Sequence, residues 1–511
     1  MPRSLINSTV YVTLFSFFGI GLGFLNQLVV AYYFGASSFR DAYFAALVIP
    51  TYMTALLVGS VGVIFMSSYI EYYTHKTQEQ LFLFASRVVN LCGFILIVLS
   101  AVMMIFAEHI IALVMPGFSD EQLHLAAELL RILSPTLFFL VMSNLFTTIY
   151  QVYNRFLWPA LVPVLGIIVT LAAVVFLSKI IGIKSLAYGA LASSIFNFIF
   201  LSFIVFKKNR YCISFVIEKE TIKLFKVAAP LLLAGIFYRS TTVFERTLAS
   251  SLGTGSISYL GYANQMMNVL STIAAGGVAT TIYPAMAKCW EKNDLDTLRI
   301  YFSKGIRIIL LTTLPIAAVV FSVGHTIIEV LLQRGAFNSS ATTGVNRSLI
   351  VLMPAFICLS LGNIISKGFY LSNKTNIFSA MVSFEAINYL CCGYIFIRSL
   401  SYLGLAAASS ISTFVTMVIA FFALKKIFHG IDGKKLLMGF LEIAAASICT
   451  GITIYMLNDV LMLHLQKITS ISLSCVLGLS FYVMIVVFFF HIEEAVFLKD
   501  VLINRIYEKR I

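Results

Sequence analysis

Charged side chains are scarce in this sequence. Of its 511 residues, only 11% are Asp, Glu, Lys or Arg, whereas 60% are hydrophobic. A soluble domain carries about 25% charged residues. A chain of this size and composition could not form a water-exposed surface, so a soluble globular enzyme is excluded and a membrane protein is indicated.

Catalytic and metal-binding patterns are also lacking. The eight cysteines have no metal-ligand spacing, and most of them lie in apolar runs, where cysteine acts as a small hydrophobic residue. The connections between apolar runs are short and hold no cluster of acids or histidines, so we expect neither an enzyme nor a resident cofactor. No short apolar core precedes a small-residue cleavage site near the N-terminus, so no cleavable signal peptide is expected.

Long apolar runs recur from one end of the sequence to the other. Each is long enough for the roughly 20 residues that cross a bilayer core. Bilayer-buried backbone must satisfy its own hydrogen bonds, and barrel strands would instead appear as short alternating segments. The sequence therefore predicts an all-α polytopic membrane protein of about fourteen transmembrane helices, near 8–33, 43–69, 88–107, 130–152, 157–179, 186–206, 226–250, 257–283, 306–328, 347–371, 377–397, 403–424, 437–457 and 469–491.

The net charge of +13 reflects the loops between these runs. Lys and Arg concentrate in alternate connections, which is typical of cytoplasmic loops, and this explains the basic balance better than a nucleic-acid partner does. The largest basic connection is 207–226, and the C-terminal tail adds Lys499, Arg505, Lys509 and Arg510. We therefore expect both termini in the cytoplasm, and the basic connection is a candidate contact for anionic membrane lipids.

An internal repeat organises the chain. Residues recur at an offset of about 218 positions, for example Gly35 with Gly253, Pro135 with Pro354, and Asn154-Arg155 with Asn373-Lys374. Six spans per copy give both copies the same orientation, so a pseudo-twofold axis along the membrane normal is expected. The predicted division is a six-helix lobe at 1–215, a second lobe at 216–430, and two additional helices with a tail at 431–511.

Four stretches resemble the signatures of the MurJ/MviN family. Phe34-Gly35-Ala36 precedes Asp41-Ala42-Tyr43-Phe44, and Glu245-Arg246 precedes Gly255-Ser256-Ile257-Ser258. The other two stretches are 332–337 and 368–375. The resemblance covers roughly residues 8 to 425.

The resemblance implies a flippase of a bacterial inner membrane. Family members carry lipid II to the outer leaflet by alternating access. For this chain we expect lipid II or a related undecaprenyl-pyrophosphate-linked saccharide, such as a capsule or exopolysaccharide precursor. The two extra helices would frame a groove for the polyprenyl tail. We expect a monomer whose partners are this substrate and the surrounding lipids. The open alternative is an ion-coupled multidrug or metabolite exporter of the same superfamily.

The sequence departs from the family where cavity arginines are expected to hold pyrophosphate. These positions carry neutral residues such as Asn26-Gln27 and Asn264-Gln265. Substitute cations are Arg239 and Arg246 in the seventh span and Arg40 at the mouth of the second span. Ionisable residues within spans are functional candidates. Predicted substrate-binding residues are thus Asn26, Gln27, Arg40, Asp41, Arg239, Arg246, Asn264 and Gln265.

Each prediction has a structural alternative. The amide pairs are equally explained as hydrogen bonds between membrane helices. Asp41 is better explained as a cap of the second span or a partner of Arg40. A tentative sodium site would use Glu245, Glu385 and Asn388, with Thr413 nearby. Proton or membrane-potential coupling remains open.

Overall fold

The computed structural model describes residues 3–208 and 219–492, and these residues are helical apart from short connections. In chain order the helices are α1 (Arg3–Phe34), α2 (Ser38–Leu57), α3 (Val63–His75), α4 (Gln78–Ile105), α5 (Ala107–Val114), α6 (Asp120–Leu133), α7 (Thr136–Val152), α8 (Leu157–Ile181), α9 (Lys184–Lys208), α10 (Lys219–Arg239), α11 (Thr241–Ser250), α12 (Ser256–Glu291), α13 (Leu295–Leu332), α14 (Ser339–Leu371), α15 (Thr375–Leu400), α16 (Tyr402–Ile427), α17 (Gly433–Met462) and α18 (Lys467–Met484). A π-helical turn, Val58–Gly62, joins α2 to α3, and a second, Ile485–Phe489, follows α18.

The predicted all-α membrane fold is confirmed. Within the described residues, twelve helical segments are long and apolar enough to cross a bilayer. The two further predicted spans, 226–250 and 257–283, fall on α10 with α11 and on α12. Large hydrophobic side chains such as Phe176 and Phe489 are more than 70% exposed, which suits a surface that faces lipid. Part of the predicted basic connection, 209–218, and the cations of the C-terminal tail lie outside the described residues.

The helices form two compact units. The first comprises Met1–Ser258 with Arg334–Asn338, and the second comprises Tyr259–Gln333 with Ser339–Ile511. These units follow spatial contacts and not the repeat. The division into 1–215, 216–430 and 431–511 stays a prediction.

Helix packing and aromatic contacts hold the first unit together. Helix α1 packs on α8, α8 on α9, α7 on α9, and α2 on α6. Phe198 of α9 contacts the rings of Phe138, Phe139 and Phe146 of α7 at centroid distances of 5.5 to 5.8 Å. Such edge and tilted ring contacts add to the energy of apolar packing.

The second unit is centred on α13 and α16. Helix α13 packs on both α14 and α17, α16 on α14 and α15, and α17 on α18. The buried rings of Phe302, Phe369 and Phe428 lie in one apolar cluster. Gly451 lets α17 approach α13 closely, and its carbonyl accepts a 2.8 Å hydrogen bond from the Ser322 hydroxyl. Small residues at helix contacts are typical of membrane bundles.

The repeat also appears in the backbone. Asn154 and Asn373 both end a helix with positive φ, at 55° and 54°. In both places the next residue donates to a carbonyl five positions earlier, Arg155 to Tyr150 and Lys374 to Phe369, as in a Schellman cap. The two copies of the sequence therefore end corresponding helices in the same way.

A second pair of helix ends matches even more closely. Gly182 has φ 56° and ψ −138°, and Ser401 has φ 54° and ψ −137°. Each donates to the carbonyl four residues earlier, to Ser178 and to Ile397 respectively. Glycine adopts this conformation freely, whereas serine does so only with strain.

The glycine turns show one difference between the two copies of the repeat. Gly35 and Gly335 adopt positive φ as expected for tight turns, but Gly253 does not, and Gly255 takes that conformation with φ 90°. The turns that contain Gly35 and Gly335 contact each other within the first unit, where the Ala336 amide donates to the Tyr32 carbonyl at 2.9 Å. A Cβ on Gly335 would collide with that carbonyl.

Candidate functional site

Four side chains of the first unit form what we call the arginine–aspartate cluster: Arg40, Asp41 and Phe44 of α2, and Arg246 of α11. The three charged members are among the most buried polar residues, with 2%, 3% and 7% of their surface exposed. Three residues predicted to bind substrate are thus brought together. In this structure they contact protein groups.

Asp41 caps the start of α12. One carboxylate oxygen accepts from the Gly255 amide at 2.6 Å, and the other accepts from the Ser258 amide at 2.8 Å and from its hydroxyl at 2.5 Å. The expectation that Asp41 caps its own helix is wrong, since the α2 cap is Ser37, whose hydroxyl accepts from the Arg40 amide at 3.4 Å. The carboxylate still serves a helix N-terminus, where negative charge is favoured.

Two guanidinium groups lie over the Phe44 ring. The Arg40 guanidinium carbon is 4.1 Å from the ring centroid, and that of Arg246 is 4.9 Å away. Arg40 also donates to the Gln27 amide oxygen at 3.4 Å, and Arg246 donates to the Ile257 carbonyl at 2.6 Å. Cation–π contacts and these hydrogen bonds offset part of the cost of burying charge.

A second polar feature of the first unit surrounds the π-helical turn Val58–Gly62. The Arg239 guanidinium packs against Gly59, with Nη2 3.1 Å from the position that a Cβ would occupy. The Asn144 amide oxygen packs against Gly62 at 3.0 Å by the same measure. π-Helical turns within α-helices frequently mark functional sites. We call this group, Gly59, Gly62, Asn144 and Arg239, the π-turn site.

The amide pairs differ in how they are satisfied. Gln27 is engaged by Arg40, and Asn264 also has an interaction within the protein. The buried side-chain oxygens of Asn26 and Gln265, in contrast, accept no hydrogen bond from the described part of the protein. Buried acceptors are rarely left in this state, so each could accept a hydrogen bond from a ligand hydroxyl or water.

The predicted sodium ligands are divided between the two units, with Glu245 in the first and Glu385 and Asn388 in the second. In the second unit, the Thr413 hydroxyl donates to the Glu385 carboxylate at 3.0 Å, so Thr413 lies near Glu385 as expected. The Asn388 amide oxygen faces its own helix, where it lies 3.3 Å from the Cys392 sulfur. Glu245 is half-buried on α11 in the first unit and has an interaction within the protein. The sodium site stays a prediction.

The sequence reasoning missed the π-turn site as a unit. Arg239 was a candidate, but Gly59, Gly62 and Asn144 were not. The available signal was the Gly59-Ser60-Val61-Gly62 run inside a span, because two glycines within an apolar helix weaken it.

Comparison with known proteins identifies the family of this chain. The model of the family described as "Lipid II flippase MurJ" matches residues 30–491. A "Probable lipid II flippase MurJ" of Buchnera aphidicola subsp. Schizaphis graminum is 26% identical over 73% of this chain and 74% of its own length. The lipid II flippase MurJ of Thermosipho africanus is 25% identical over 83% of this chain and 86% of its own length.

Solved structures agree on the fold. A structure of "Lipid II flippase MurJ, inward closed conformation" superimposes with a TM-score of 0.82 at 24% identity, covering 94% of this chain and 99% of that one. An inward-facing multidrug resistance MATE transporter gives a TM-score of 0.70 at 16% identity, over 80% of this chain and 94% of its own. The resemblance inferred from four sequence stretches is thus confirmed by a match that spans nearly the whole molecule, and the chain belongs to the lipid II flippase MurJ family of membrane proteins.

Proposed function

We propose that this protein flips lipid II, or a closely related undecaprenyl-pyrophosphate-linked saccharide, across a bacterial inner membrane. The observation that carries the proposal is the family match over residues 30–491. The exporter alternative is weaker, since the MATE structure is the more distant match, with a TM-score of 0.70 against 0.82. The charged head of such a lipid cannot cross hydrocarbon unaided, and moving it needs no covalent chemistry by the protein.

Depletion of the protein in its host tests this function. Lipid-linked precursors would be extracted and quantified after depletion, in a strain without a second flippase. Accumulation of lipid II on the cytoplasmic side supports the proposal, and accumulation of a different undecaprenyl-linked saccharide would identify that saccharide as the cargo. Unchanged levels of every undecaprenyl-linked intermediate would refute the flippase function.

Arg239 of the π-turn site is proposed to contact the pyrophosphate. It is half-buried in a predicted span beside a π-helical turn, and its position next to glycine leaves the guanidinium close to the backbone. A guanidinium can hold a phosphate through two parallel hydrogen bonds and stays charged. Arg40 and Arg246 are less suited, because both are buried among protein groups.

Reconstituted vesicles test the role of Arg239. We expect Arg239→Gln to slow the flipping of a labelled lipid II by at least tenfold and Arg239→Lys to retain part of the rate, since an ammonium keeps the charge but not the fork. Arg131→Gln is the matched control, because Arg131 is partly exposed and pairs with Glu108. Equal rates for Arg239→Gln and the unaltered protein would exclude this contact.

Sodium coupling through Glu245, Glu385 and Asn388 is a further proposal, supported by the Glu385–Thr413 hydrogen bond. Flipping would be compared in vesicles with sodium or choline outside, at matched membrane potential and pH. A sodium-dependent rate that Glu385→Gln abolishes supports the site. A rate that follows the proton gradient or potential alone excludes it.

We also propose that both termini lie in the cytoplasm. The concentration of Lys and Arg in alternate connections between the spans supports this orientation.

A further inference from the structure

A pocket in the second unit lies where α13, the start of α17 and the residues after α18 meet. Its volume is about 640 Å³, which is within the range of ligand pockets. Three cationic side chains line it, Arg307, Lys434 and Lys435, together with two acids, Asp432 and Glu442. The balance of these five side chains is positive.

Arg307 forms the inner wall of this pocket. It belongs to α13 and has only 6% of its surface exposed. Its side chain can cross to α17 because residue 439 is glycine, and the Arg307 Cδ lies 3.0 Å from where a Cβ would be. The guanidinium is the donor that best matches the oxygens of a phosphate group.

The start of α17 adds to the positive potential. Asp432 precedes this helix, but its side chain makes no capping hydrogen bond. A helix N-terminus carries a partial positive charge and favours anions. Lys434 and Lys435 are exposed in the first turn, so they can reach a ligand that enters from the surface.

The outer side of the pocket is apolar. Met438 lines the pocket and is 53% exposed, and its neighbours Leu437 and Leu441 are 59% and 57% exposed. Large exposed hydrophobic residues on a membrane helix face lipid chains. A cationic base beside such a surface matches a molecule with an anionic head and an apolar tail. Basic pockets at the ends of membrane helices bind lipid headgroups of this kind.

We propose that this pocket binds the phosphodiester headgroup of an anionic phospholipid. Arg307 and the first turn of α17 hold the phosphate, Lys434 and Lys435 add charge at the entrance, and the acyl chains lie along Met438. Free phosphate and the lipid headgroup both present anionic oxygens to the pocket, but only the lipid has acyl chains that pack on the apolar wall.

The test titrates the purified full-length chain in neutral detergent with short-chain phosphatidylglycerol, phosphatidylcholine or inorganic phosphate, and measures binding by native mass spectrometry. We expect phosphatidylglycerol to bind at least tenfold more tightly than phosphatidylcholine. The double variant Lys434→Gln/Lys435→Gln should weaken that binding at least fivefold. Glu442→Gln should strengthen it about twofold, because a competing carboxylate is removed.

The matched control is Lys425→Gln/Lys426→Gln, which removes an equally exposed basic pair at the end of α16 that does not line the pocket. Unchanged binding in this control supports the pocket, and equal loss in both pairs would overturn it in favour of diffuse surface charge. Inorganic phosphate that displaces the lipid completely at equal concentration would show a site for free anions instead. The thermal unfolding midpoint of each variant confirms that it is folded.

Discussion

Ser401 holds a backbone conformation that a side chain opposes. Its φ of 54° and ψ of −137° match those of Gly182, its counterpart in the repeat. A Cβ at Gly182 would meet open space, so only the backbone conformation opposes a side chain at this position. The second copy of the repeat thus carries strain that the first copy avoids.

Exchanging the two residues measures this strain. Ser401→Gly should stabilise the folded protein by about 1 kcal/mol, and Gly182→Ser should destabilise it by about 1 to 3 kcal/mol. Thermal unfolding in detergent, followed by circular dichroism, gives both changes. A lower unfolding midpoint for Ser401→Gly would show that the serine side chain contributes more than its conformation costs.

Asp41 contributes to stability through three hydrogen bonds to the start of α12. Asp41→Asn keeps the shape, but it removes the charge and replaces one acceptor oxygen with a donor. Because hydrogen bonds to charged groups contribute about 1.5 to 3 kcal/mol, we expect a loss of about 2 kcal/mol in unfolding free energy.

Asp120→Asn is the control for this variant, since Asp120 is an exposed acid in the first turn of α6. A similar loss in both variants would mean that general electrostatics, and not the cap on α12, explains the effect.

At the scale of helices, the sequence predicted where the spans lie better than where a helix is interrupted within a span. The span at 43–69 contains the π-helical turn, the span at 226–250 breaks at Ser240, and the span at 130–152 breaks near Pro135. Hydropathy averages over a whole run, so it does not detect where tertiary contacts end a helix. Two signals were visible: the glycines of the Gly59–Gly62 run, which weaken a helix, and Pro135, which lacks the amide that continues one.

An ion pair joins helices α5 and α6, and its contribution to stability depends on pH. The hydrogen bond from Arg131 to Glu108, 2.8 Å long, lowers the pKa of the Glu108 carboxyl below its ordinary value. A lowered pKa in the folded state gives stability above the unfolded-state pKa, which is lost as the pH falls through the folded-state pKa. Both groups are well exposed, so the effect is small.

Glu108→Gln should therefore lower the unfolding midpoint slightly at pH 7 and leave it unchanged at a pH below the ordinary range of glutamate. Midpoints measured across that range, at low salt, give the difference between variant and parent. A difference that persists undiminished at acid pH would assign it to packing instead of charge.

For the whole molecule, the fold followed from composition, but the polar sites did not. Scarce charge and recurring apolar runs sufficed for a helical membrane bundle. Arg246 stood out because ionisable residues are rare in spans, and Arg40 and Asp41 stood out as charged residues at the start of the second span. Their burial on Phe44, and the contact of Arg239 with a π-helical turn, depend on how helices pack, which no local pattern reports.

The cap that Asp41 places on α12 has a consequence for biosynthesis. The residues it joins are separated by 214 and 217 positions, so α2 is synthesised long before its partner amides exist. During that interval the Asp41 carboxylate lacks the groups that donate to it, and an unpaired charge at the edge of a membrane span is costly. Chains released at residue 240 should therefore be degraded faster than chains released at residue 270, as pulse-chase labelling of the two truncations would measure.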